Sequence, residues 1–61
     1  MISIIYKTSL EVLDSIRVDD EICDIYLVCG RVVEIEKIAK RNSIFFNYLL
    51  NTGQSISVIR K

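Results

Sequence analysis

Asn42 and Ser43 stand inside the longest apolar stretch of the chain, "EKIAKRNSIFFNYLL" (residues 36–50), and this interruption constrains the fold more than any other feature. Both residue types disfavour a helix interior and favour its ends. Ile38, Ala39, Phe45, Phe46, Leu49 and Leu50 fall on or near one helical stripe, with Asn42 inside it. The spacing predicts helix over 36–50 in one of two arrangements. Either a single helix tolerates the polar pair, or one helix stops near Arg41 and Ser43 caps a second. Two short helices at an angle would turn both apolar faces onto the same sheet. Glu34 and Glu36 precede Lys37, Lys40 and Arg41, the charge order that a helix dipole prefers. Asn51-Thr52-Gly53 ends the run, with Gly53 as a left-handed cap.

The remaining segments supply a sheet for such helices to cover. Residues 2–6, "ISIIY", alternate as a strand with no hairpin partner nearby. Thr8 and Glu11 form a capping box for a helix over residues 8–17, whose apolar face is Leu10, Val12, Leu13 and Ile16. The acidic segment 18–21 lacks the glycine and the spaced oxygen ligands of a calcium loop and reads as a solvated turn. Residues 22–29 alternate as a strand, Gly30 and Arg31 make a turn, and "RVVEI" returns as the second strand of a hairpin. "SISVIR", residues 55–60, is a last strand. The expected fold is α+β: a small sheet with a β-hairpin covered by two or three short helices, in the order β-α-β-β-α(α)-β, as one domain over residues 1–61.

Sixty-one residues allow one small core, and a chain of this size hides only about 60% of the surface it exposes when unfolded. With 51% apolar residues the composition excludes disorder and favours self-association. Eight basic residues balance eight acidic ones, which argues against a nucleic-acid binder. No apolar run reaches the roughly 20 residues that cross a bilayer, and "MISIIYK" does not read as a secretion signal. No membrane association is expected, and the expected location is intracellular and cytoplasmic, with the nucleus open. Cys23 and Cys29 lie six residues apart on what reads as one strand. That separates them by ~20 Å, too far to bridge within the strand, so both read as buried thiols. Without histidine or a C-x-x-C spacing, no zinc site and no cofactor is expected.

Two short motifs carry a resemblance. "CDIYLV" (Cys23 to Val28) and "SIFF" (Ser43 to Phe46) are similar to the strand and helix-start motifs of the BTB/POZ family, and the acidic loop before Cys23 also fits. The chain resembles the N-terminal half of that domain, over roughly residues 8–60. Ile35 and Glu36 stand where the family has histidine and lysine, and the basic residue before Ser43 is displaced by one. The resemblance implies a charged pocket between Asp24 and Arg41 or Lys40. It also implies a strand-exchanged homodimer or pairing with another BTB protein. Cullin scaffolds of ubiquitin ligases are a possible partner, although the segments that usually contact them are absent. Eleven isoleucines beside one alanine resemble the residue usage of AT-rich viral genomes, and poxviruses carry divergent, sometimes truncated, BTB proteins.

An enzyme is not expected: the chain has no histidine to titrate near neutrality, and its two glycines are isolated turn residues. The expected role is protein–protein interaction. Ile2, Ile4 and Tyr6 would form the exchanged edge, Leu10, Leu13 and Ile16 the apolar part of a two-fold interface, and Asp24 with Arg41 the charged pocket. Alternatively the first strand adds to the chain's own sheet. The second function class is a small nucleic-acid-binding regulator using the basic face Lys37, Lys40 and Arg41 of the 36–50 helix. Zero net charge and the absence of a second basic patch weigh against it.

Overall fold

The segment expected to be the main helix is a β-hairpin. In the computed structural model, which describes residues 2–4 and 8–61 and only the backbone of Ile2, residues 36–50 divide between two strands. The elements are β1 (Ile2–Ile4), α1 (Leu10–Ser15), β2 (Glu21–Asp24), β3 (Cys29–Ala39), β4 (Ile44–Leu50) and β5 (Ser55–Arg60). They form one five-stranded sheet in the order β1-β2-β3-β4-β5, with β1 parallel to β2 and every other pair antiparallel. Among the described residues one short helix replaces the two or three expected, so the domain is β-rich rather than α+β.

The correction has a physical reason. Ile38, Ala39, Phe45, Phe46, Leu49 and Leu50 satisfy a helical stripe, but Phe46, Tyr48 and Leu50 satisfy a period of two equally well. The segment is rich in β-branched and aromatic residues, which fit a pleated, half-buried surface. Asn42 and Ser43 belong to the tight turn joining β3 to β4, where the Lys40 amide donates to the Ser43 carbonyl at 2.7 Å. Polar residues that interrupt a helix read equally well as the tip of a hairpin.

A register shift between Val32 and Glu34 marks a bulge in β3. It restores Val32 and Ile35 to the same face despite their odd spacing. Beyond it, Ile35, Lys37 and Ala39 face inward opposite Tyr48, Phe46 and Ile44, and β4 in turn pairs these with Ile56, Val58 and Arg60. The core joins Ile4, Leu13, Ile16, Ile22, Val32, Phe46, Tyr48, Leu50 and Ile56. Phe46 and Tyr48 stack, with ring centroids 6.1 Å apart.

Helix α1 covers this inner face. Ser9 rather than Thr8 is its N-cap, accepting from the Val12 amide at 3.3 Å, and Leu13 is its buried residue. The buried Tyr48 hydroxyl donates to the Leu13 carbonyl at 2.7 Å, and the Lys37 ammonium reaches Asp14 at 2.7 Å. Burial, helped by the Asp14 carboxylate, pushes the Tyr48 hydroxyl up to about 12.

The first hairpin is also shifted. β2 ends at Asp24, and the turn occupies residues 25–28 instead of Gly30 and Arg31. Gly30 lies within β3 opposite Ile22, where an added Cβ would stand 3.0 Å from both Leu50 Cβ and Asn51 Oδ1. The close approach of the end of β4 and of Asn51 leaves little room for a side chain there. Gly53, at a φ of 90°, serves that turn and caps no helix. β5 matches the strand expected over 55–60.

Candidate functional site

The turn after β2 gathers the features that point outward. The Asp24 carboxylate accepts from the amides of Tyr26 and Val28, both at 2.9 Å, and the Leu27 amide returns to the Asp24 carbonyl at 3.2 Å. Leu27 takes a φ of 62°. These bonds reverse the chain and bring Cys23 opposite Cys29 with Cα atoms 4.1 Å apart, and the two form a disulfide. The expectation of two separate thiols rested on one continuous strand. The turn removes that strand, and with it the ~20 Å separation.

The loop thus closed presents Ile25, Tyr26 and Leu27 to water, 55%, 80% and 84% exposed. Their neighbour across a cleft is the edge strand β5. The cleft, about 340 Å³, is lined by Ile4, Asp24, Ile25 and Tyr26 on one side and by residues 55–60 on the other. Ile59, 60% exposed, continues the apolar surface onto the outer sheet face. There it stands in register with Phe45 and Ile38. The next rows on that face are Glu36, Asn47 and Ser57, then Glu34, Leu49 and Ser55. A single apolar row therefore borders the cleft, with more polar rows behind it.

The residues expected to form an interface are dispersed. Ile4, Leu13 and Ile16 are buried in the chain's own core. β1 pairs with the chain's own β2, and Tyr6 lies outside the described residues. Leu10 is exposed beside the β3–β4 turn. Asp24 holds its own turn, while Arg41 sits in the β3–β4 turn. Among the described residues the ion pair is Lys37–Asp14, not one between Asp24 and Arg41. The basic helix face is likewise absent: Lys37 points to the inner face, and Lys40 and Arg41 belong to the turn. Sequence reasoning missed the loop 25–27 because its apolar side chains continue the alternation of β2, leaving Asp24 as the lone turn signal.

The chain matches no protein-family model, no curated protein and no solved structure. No helix among the described residues is long and apolar enough to cross a membrane.

Proposed function

We propose that this chain is a protein–protein interaction module, without catalytic activity, that binds through the loop Ile25–Leu27 and the adjoining strand β5, which ends the sheet among the described residues. The observation that carries the reading is three consecutive large apolar side chains held exposed on a turn fixed by Asp24 and the Cys23–Cys29 bond. Burying such surface is favourable at about 25 cal/mol per Å². A loop already fixed loses little conformational entropy on binding. Among the described residues β5 is an edge of the sheet; there it offers main-chain donors and acceptors to an added strand, and Ile25, Tyr26 and Ile59 give that strand apolar contacts.

The first partner to test is a second copy of the chain; neither a BTB-containing relative nor a cullin scaffold is needed for this reading. Cytosolic redox poise keeps cysteines reduced, whereas oxidising compartments favour the bond. Rigidity of the loop therefore depends on where the protein resides. The test is sedimentation equilibrium of the oxidised chain beside its Tyr26→Asp/Leu27→Asp variant, whose substituted residues are both exposed. The wild type is expected to dimerise with concentration and the variant to remain monomeric. A wild type that stays monomeric at its highest soluble concentration, or a variant that dimerises equally, overturns self-association through this surface.

A further inference from the structure

We propose that the cleft between the β3–β4 turn, the end of β5 and the start of α1 binds a small phosphate-bearing anion. The register Ile44↔Arg60 sets the end of β5 beside the start of β4. Two basic pairs far apart in sequence, Lys40–Arg41 and Arg60–Lys61, therefore meet around one cleft of about 690 Å³. Half of the chain's eight basic residues line it, no acidic side chain among the described residues does, and Ser9 and Ser43 add hydroxyls. In a chain of zero net charge this is a strong local excess of basic side chains, and like charges repel one another.

Arg60 is the anchor. Its Nε donates to the Thr8 carbonyl, which fixes the guanidinium against the cleft wall. Its Nη2 is buried and has no hydrogen-bond partner among the described residues. A buried cationic donor without an acceptor is costly, and an oxyanion supplies both acceptor and counter-charge. Guanidinium groups suit phosphate because their planar donors meet two oxygens at once, while lysines add point charge. The geometry favours a small anion over a nucleic-acid backbone. The cations converge on one end of the sheet, whereas Lys37 is neutralised by Asp14 and the outer face beyond carries Glu34 and Glu36.

The test is an amide NMR titration of the full chain with pyrophosphate, at ionic strength held constant with sodium chloride. Saturable shifts are expected at Ser9, Leu10, Asn42, Ser43 and Lys61. The double variant Lys40→Gln/Arg41→Gln, exposed at both positions, is expected to weaken binding by roughly tenfold or more while keeping the wild-type spectrum elsewhere. Arg31→Gln, near the start of β3, is expected to leave the affinity unchanged. Shifts that rise without saturating, or an equal loss with Arg31→Gln, overturn the site. A short oligothymidylate that binds more tightly than pyrophosphate, with shifts extending beyond the cleft, overturns the small-anion assignment in favour of a nucleic-acid backbone.

Discussion

Along β3, residues Glu34–Ala39 pair continuously with β4, whereas Cys29–Arg31 pair with β2 over three positions. The two ends of this strand are secured differently. Beyond the bulge, stability comes from area: Phe46, Tyr48 and Leu50 interlock with Val32 and Ile56 beneath α1. Before it, β1 and β2 are short, and cross-links tie them down: the Cys23–Cys29 bond and the Asp24 turn. The loop 17–20 adds two more bonds, in which the Asp19 amide donates to the Val32 carbonyl and the Val32 amide to the Asp20 carbonyl, both at 2.8 Å. A 61-residue chain has one small core, to which β1 and β2 each give one buried residue, Ile4 and Ile22, so the end that displays Ile25–Leu27 is clamped as well as packed.

The packed end is broken most severely by Phe46→Ala. Removing a buried aromatic costs about 3–5 kcal/mol, enough to unfold a chain of this size, and urea denaturation followed by circular dichroism measures it. The clamped end is broken less severely by Cys23→Ser/Cys29→Ser. The loop closed by the bond is short, so the chain-entropy cost is about 2 kcal/mol, read as a lower urea midpoint.

The smallest change sharpens the comparison through pH. Tyr48→Phe removes the bond to the Leu13 carbonyl and costs about 1 kcal/mol at neutral pH. The folded state keeps the Tyr48 proton up to about pH 12, whereas the unfolded chain releases it near 10.0. In that window the folded state binds more protons. Through this proton the fold therefore keeps its full stability below pH 10.0 and loses roughly 3 kcal/mol as pH rises to about 12, a pH-dependent change separate from the hydrogen bond itself. The Phe variant is expected to show a flatter fall in melting temperature across that range.

These two ends also differ in how far they could be read from the sequence. α1 and β5 were legible because local signals settle them: polar caps before Leu10, and serines alternating with Ile56 and Val58. The 36–50 segment was not, because its apolar residues fit both periods and only the crowding of Ile38, Ile44, Phe45, Phe46 and Tyr48 favours strands. The loop 25–27 was least legible. Its turn depends on one carboxylate reaching two amides, and its disulfide depends on that turn. The basic cleft was half visible: Lys40 and Arg41 stood out, but Arg60 joins them only through the register of a sheet that the helical reading did not contain.

The most direct test of the division between a packed and a clamped end is native-state hydrogen exchange, measured on the oxidised and the reduced chain side by side. Reduction is expected to speed exchange at the amides of Asp24, Leu27 and Val28, while those of Phe46 to Leu50 keep their protection relative to global unfolding. Equal acceleration at both ends would contradict the account, because it would make the disulfide a support of the whole fold and not of the loop that it closes.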